Sequence, residues 1–222
     1  MKISVKAEES VYSDRYSNNG ASPMWCSNNT CVLRLGDEVF ASGYERIPGA
    51  SPMNDCRWVL RQRTEEGWQR VQADERGRQR EPCPLGRLPD GRLLLSSNPT
   101  LLPPDAAGGG PARPELLVFD AAQPVVPPKV WHPAWKETPP FNQHSYRTLA
   151  VDAAAREMIL FQNANYSHAE WALRTVDGDW ISGQLPWPAY APTDMAPFGA
   201  SHARVNYPVV ALNDRTVHFC GA

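Results

Sequence analysis

The sequence predicts an all-β fold, a β-propeller of four-stranded antiparallel blades, and three observations carry that expectation. The first is a unit that recurs four times: a short apolar strand, a tight turn centred on Asp or Asn, and a second apolar strand. Leu35, Leu88, Val151 and Leu212 hold the same place in it and lie 53, 63 and 61 residues apart. That spacing approaches the roughly fifty-residue period of kelch-like blades, units that need neighbours to bury their faces. The second is an element repeated at an offset of 113 residues: Trp58-Val-Leu-Arg61 leads into Glu66-Gly67-Trp68, and Trp171-Ala-Leu-Arg174 leads into Asp177-Gly178-Asp179-Trp180. An alternating strand that enters an acidic-Gly turn and leaves through a Trp signals a hairpin. The third is Glu115-Leu-Leu-Val-Phe119-Asp120 in the equivalent place of the intervening unit, which gives each unit two hairpins, the four antiparallel strands of a blade.

Each unit can be followed in order. The first, about residues 20–80, runs Cys31 to Leu35, turns at Gly36-Asp37 and returns through Val39-Phe40-Ala41. The second, about 81–140, runs Pro84 to Leu88, turns at Pro89-Asp90-Gly91 and returns through Leu93-Leu94-Leu95. The third, about 141–190, pairs Arg147 to Asp152 with Met158 to Phe161, and the fourth, about 200–222, pairs Tyr207 to Leu212 with Thr216 to Phe219. Propellers close with about 4–8 blades, so the 222 residues read as one domain, 1–222, holding an N-terminal fragment: about three blades plus the start of a fourth. A compact four-bladed ring and a β-sandwich are the alternatives that strand patterns leave open. Pro99 to Pro114, rich in Gly and Pro, reads as a flexible excursion between the two hairpins of the second unit, and Pro186 to Gly199 as a long connection to the fourth. Long loops on one face of such a scaffold are where binding surfaces are built.

Composition narrows the partners. The net charge of −2 lacks the basic footprint of a nucleic-acid binder, and Asp74-Glu-Arg-Gly-Arg-Gln-Arg-Glu81 reads as a solvated mixed-charge loop. No stretch approaches the roughly 18 apolar residues of a membrane span, and the N-terminus has no apolar core of a secretory signal. A periplasmic or extracellular site would need a signal upstream, and a cytoplasmic one would not. Of the five cysteines, Cys26 and Cys31 are close enough to bridge, while Cys56, Cys83 and Cys220 read as small hydrophobes. With no C-x-x-C or H-x-x-x-H pair, neither a metal nor another cofactor is expected.

The candidate site residues stand at the starts of the third and fourth units. In Phe141-Asn-Gln-His144-Ser-Tyr146-Arg147, alternation sends His144, Tyr146 and Thr148 to one side and Ser145, Arg147 and Leu149 to the other. Tyr166 and His168 follow between the second and third strands of that unit, and His202, Arg204 and Tyr207 hold the fourth unit's place equivalent to His144–Arg147. His, Tyr and Arg in register suit an acidic sugar: a base near neutrality removes the proton beside a uronate carboxylate, a cation steadies the resulting charge, and Tyr protonates the leaving oxygen. His144, Tyr146, Tyr166 and Arg204 are therefore the catalytic candidates, and Arg147, His168, His202, Tyr207 and Trp25 the substrate-binding ones. Trp58, Trp68, Trp171 and Trp180 read as blade core, and Trp25, Trp131, Trp135 and Trp187 as loop residues able to stack on a pyranose. Glycoside hydrolysis would need paired carboxylates; Asp55, Glu81 and Glu170 are the acids considered for it, none at a convincing channel position.

Thr175-Val-Asp177-Gly178-Asp179-Trp180 resembles a shortened Asp box, and His144-Ser-Tyr-Arg-Thr-Leu-Ala-Val-Asp152 resembles the first strand of a blade in the sialidase-like BNR-repeat propellers, a group that includes ulvan-lyase-type polysaccharide lyases. Glu65-Glu66-Gly67-Trp68 is a weaker copy of the box. The resemblance implies a propeller acting on acidic polysaccharide, with a His base at His144 and a Tyr acid at Tyr146, Tyr166 or Tyr207. A sialidase would add an arginine triad, for which Arg147 and Arg204 supply two members. The resulting expectation is β-elimination on acidic poly- or oligosaccharide; the alternatives are a non-catalytic glycan- or protein-binding propeller and a sialidase-like hydrolase.

Overall fold

The computed structural model describes residues 3–5, 7–13, 19–21, 30–75, 77–164, 168–186 and 209–220. Among them there is no helix, and the strands follow the recurring unit. The first sheet is β1 (Val32–Leu35), β2 (Glu38–Arg46), β3 (Cys56–Thr64) and β4 (Gly67–Ala73); the second is β5 (Leu85–Arg87), β6 (Arg92–Ser97), β7 (Glu115–Asp120) and β8 (Lys129–Trp131). The third is β9 (Thr148–Asp152), β10 (Glu157–Ala164), β11 (His168–Arg174) and β12 (Trp180–Pro186), and the fourth holds β13 (Val209–Asn213) and β14 (Thr216–Cys220). Every sheet is an antiparallel meander in sequence order, and none is closed on itself.

Local chemistry sets the hairpins. Asp214 and Arg215 both lie at positive φ, 48° and 58°, the paired left-handed conformation of a type I′ turn, whose twist matches the strands it joins. In the third sheet Asp152 closes the turn instead, its carboxylate accepting the N–H groups of Ala154 and Ala155 at 2.9 and 3.0 Å and, from the next sheet, that of Asp214 at 2.8 Å.

Successive sheets bury their faces against each other. Phe40, Trp58, Leu60, Leu93, Leu95 and Phe119 fill the space between the first and second, with Trp58 edge-on to Phe119 at 5.8 Å. Leu94, Leu116, Leu149, Met158 and Leu160 do so between the second and third, and Ile159, Phe161 and Leu212 between the third and fourth. The first strands β1, β5, β9 and β13 are each the terminal strand of their sheet and lie beside one another in that order. Gly86 permits this between β5 and β9: a Cβ there would stand 2.7 Å from Val151 Cγ2.

The face of the first sheet turned away from the second is polar. It carries Arg57, Arg61, Arg63 and Glu45, and residues 7–13 run along it: Glu9 pairs with Arg63 at 2.5 Å, and Tyr12 lies under Arg61, 4.3 Å from its ring centre.

Three expectations need correction. Pro99 to Pro114 lies between β6 and β7 as expected, but it is tied down rather than loose: Thr100 bridges to Ala112, and Gly108 O and Gly110 N bond the side chains of Asn54 and Gln143. Trp131 and Trp135 are not free platforms. Trp131 belongs to β8 and carries Arg174 on its ring at 4.0 Å, and Trp135 packs edge-on to Phe141 at 4.8 Å, both against the core between the second and third sheets. Finally, Arg78, Gln79, Arg80 and Glu81, expected in a solvated loop, are buried. The segment crosses from the first sheet to the second, and its charges find partners there: Arg78 donates to the carbonyl of Pro103 at 2.6 Å and Arg80 to that of Asn19 at 2.8 Å.

Candidate functional site

The polar residues of the interior gather at one end of the sheets, where the chain crosses into β5 and β9 and where second strands pass to third. Two crossings, 78–84 and 142–147, meet there, and the side chain that joins them is Glu81. It is fully buried and accepts the N–H of Ser145 at 3.2 Å, the hydroxyl of Ser145 at 2.5 Å and the N–H of Tyr146 at 3.1 Å. Tyr146 sits at φ 42°, a conformation that L-residues with side chains hold only when their surroundings over-determine it; here it turns two consecutive N–H groups toward one carboxylate. Burial pushes the Glu81 carboxyl up, against the opposing pull of Arg147, of the Ser145 hydroxyl and of Arg80.

Arg147, 1 % exposed, reaches back from the third sheet to the second. Its guanidinium donates to Ser145 Oγ at 2.8 Å, Pro82 O at 2.8 Å, Glu81 O and Ser96 O at 3.3 Å, and Cys83 Sγ at 3.2 Å, and stands 3.8 Å from the Glu81 carboxylate. With its donors turned inward on carbonyls, Arg147 fastens one crossing to the other.

His144 stands above this pair with 17 % of its side chain exposed. Asn142 Oδ1 accepts its backbone N–H at 2.9 Å, its ring stacks on Tyr146 at 5.8 Å, and Arg80 Nη1 donates to Nδ1 at 2.7 Å while also touching Nε2. A guanidinium only donates and Arg80 meets both ring nitrogens, so in the neutral ring it faces whichever of them carries the lone pair. His144 is thus held with its basic nitrogen on Arg80. The expected alternation of His144, Tyr146 and Thr148 against Ser145, Arg147 and Leu149 does not describe this segment: β9 begins only at Thr148, Tyr146 lies at φ 42°, and although His144 and Tyr146 stack together, His144, Ser145 and Arg147 all approach Glu81.

A second histidine is held differently. His168, at the start of β11 and 21 % exposed at its side chain, places Nε2 2.6 Å from Glu170 Oε1, and Gln184 of β12 donates to the same oxygen at 2.9 Å. Glu170 is 1 % exposed. A buried carboxylate on one imidazole nitrogen fixes the orientation of the ring. Gln162 of β10, the cross-strand partner of Glu170, donates to Asn98, just past β6, at 3.0 Å, and Asn98 donates on to the carbonyl of Asn142.

The structure therefore brings together His144, Tyr146 and Arg147 just ahead of β9, and sets His168 on β11, with β10 between the two strands. Tyr166, Arg204, His202, Tyr207 and Trp25 lie outside the described residues, as do Trp187 and Cys26. Cys31, Cys56 and Cys83 are free thiols, and burial raises the Cys83 thiol above its ordinary range. Among the described residues no three His, Cys, Asp or Glu side chains converge as metal ligands. Of the acids considered for hydrolysis, Asp55 bonds Asn19 at 2.8 Å and Arg46 at 3.4 Å, while Glu81 and Glu170 are engaged as above. Sequence reasoning missed Arg80 and the coupling role of Glu81; the signal was positional, since Arg80 and Glu81 precede His144 and Ser145 by 64 residues, about one repeat. No protein-family model matches this sequence, and neither does any curated protein.

Proposed function

We propose that this chain is a propeller-type scaffold of the sialidase-like BNR kind that recognises acidic carbohydrate at the end of the sheets where its interior polar residues gather. The carrying observation is the presentation of His144 and His168, each partly exposed and each held by a buried charged partner, Arg80 and Glu170. Side chains fixed in this way lose little freedom on binding, which favours recognition. The placement of four first strands side by side supports the scaffold assignment. Recognition is favoured over β-elimination by His144, because the lone pair that a base would use is turned to Arg80.

A lyase reading is kept for one reason: His168 held by Glu170 has the geometry of a carboxylate-oriented base, with Tyr146 or Tyr166 as acid and Arg204 as the neutralising cation. The test is a titration of the full chain with polygalacturonate, alginate and hyaluronan, followed by calorimetry and by absorbance in the band of unsaturated uronates. Binding without an absorbance rise, weakened about tenfold by His144→Ala as for a binding hot spot, is the expected result. An absorbance rise lost in His168→Ala would establish the lyase. No binding to any polyuronate would end both readings.

A further inference from the structure

The first strands line an open cavity of about 330 Å³ that shares no residue with the histidine cluster. Leu33 of β1, Leu85 of β5, Leu149 and Val151 of β9 and Leu212 of β13 line it with aliphatic surface, and Arg87, at the end of β5, stands at its rim. Each lining strand is bonded within its own sheet on one edge only; among the described residues the other edge is bonded where Leu85 N–H donates to Thr30 O at 2.7 Å, and elsewhere it carries backbone donors and acceptors toward the shared space. Among the described residues Arg87 forms no ion pair, and it is exposed. The lining holds no acidic side chain.

Three properties thus coincide: a strand edge open beyond Leu85, an aliphatic wall and, at the rim, a guanidinium with no ion pair among the described residues. An alkyl chain satisfies the second and, as a carboxylate, the third, but leaves the strand edge unpaired. A sugar satisfies the first, but meets no aromatic face among these walls. An extended peptide satisfies all three, because its backbone pairs with a strand edge, its side chain enters the apolar wall and its terminal carboxylate meets the cation. We propose that this cavity captures the C-terminus of a partner polypeptide ending in an aliphatic residue, with the terminal carboxylate on Arg87. A volume of about 330 Å³ is at the small end of ligand pockets, roughly 300–1,000 Å³, and limits the seated portion to about two residues.

The test is a polarisation assay on the full chain with fluorescein-labelled hexapeptides that carry every residue in the last position, each as free acid and as amide. The expected result is selective binding of peptides ending in Val, Leu or Ile, with amidation and Arg87→Gln each lowering affinity about tenfold and not adding to one another. Ala211→Trp, a substitution at an exposed lining position, should abolish binding with the melting temperature unchanged; should it misfold, the exposed Arg87→Gln carries the test alone. Equal binding of acids and amides, retention of binding in a folded Ala211→Trp, or no binding by any peptide would overturn the proposal. So would dodecanoate binding lost in Ala211→Trp while no peptide binds, which would make the cavity an acyl site.

Discussion

Replacing Arg147 by Met removes the guanidinium that fastens the crossing into β9 to the crossing into β5. The side chain is 1 % exposed, and its loss strips donors from Pro82 O, Glu81 O and Ser96 O and leaves the Glu81 carboxylate, 3.8 Å away, buried without its cation. Breaking a buried pair from one side costs about 3–5 kcal/mol. For a domain of this size, at about 2–4 °C per kcal/mol, that is a fall of roughly 6–20 °C in melting temperature. Urea denaturation followed by circular dichroism reads it directly. Glu81→Gln in the same chain removes the stranded charge, so the double variant should recover at least half of the loss. The pH dependence gives a second reading. The Glu81 carboxyl already titrates above its ordinary value, so its contribution to stability is complete below about pH 4.3 and is lost as pH rises through the raised value. Without Arg147 the carboxyl moves higher still, and the deficit of the single variant should shrink as pH is lowered. A loss under about 1 kcal/mol at neutral pH, or a double variant no more stable than the single, would refute the assignment of Arg147 as the partner of a buried charge.

Other outcomes follow from the same geometry. In the wild-type chain Glu81 should make stability decline with rising pH above the ordinary carboxylate range, and Glu81→Gln should remove that slope from a series of urea melts. Asp152 behaves oppositely: the N–H groups of Ala155, Asp214 and Ala154 hold its carboxyl below the usual range, so its contribution is present above the ordinary value and is lost as pH falls through the depressed one. Asp152→Ala should therefore flatten the acid limb of the stability profile, and an unchanged limb would exclude this turn as a contributor. Gly86→Val sets a branched side chain where a Cβ already stands 2.7 Å from Val151 Cγ2 and 3.0 Å from Leu149 Cδ2; overpacking of this kind costs about 1–3 kcal/mol, measurable in the same denaturation assay.

The fold was legible where local chemistry and periodicity agree. Leu93-Leu94-Leu95 alternate between two cores, with Leu93 and Leu95 facing the first sheet and Leu94 the third, and the turn residues at Gly36, Asp90 and Asp214 stand where the hairpins were expected. The site was legible in part. His144, Tyr146 and Arg147 are candidates from their place ahead of an apolar strand, and the structure sets them close together; yet Arg147, expected to bind substrate, is turned inward, because the sequence does not show that the carbonyls of Glu81 and Pro82 wait for it. Arg78 to Glu81 reads as solvent-facing from composition alone, since the pairing that makes burial tolerable is supplied by Asn19, Pro103, His144 and Ser145, residues far away in the chain. Likewise Trp131 and Trp135 lie outside the alternating runs, but Trp131 is met by Arg174 from the third sheet and Trp135 by Phe141 of its own connection.

Four of the polar bonds between the second and third units share one feature. Arg80 with His144, Glu81 with Ser145, Cys83 with Arg147 and Asn98 with Gln162 are each separated by 64 residues. A slip of one sheet along the other by a single residue would break all four together, so the contacts act as a key that admits one alignment. Energy concentrated between neighbouring repeats, rather than within them, raises cooperativity along such an array. These two sheets should therefore open as one unit, and their amides, from Leu94 in β6 to Leu160 in β10, should exchange with solvent at a common rate even though each sheet forms its hydrogen bonds alone.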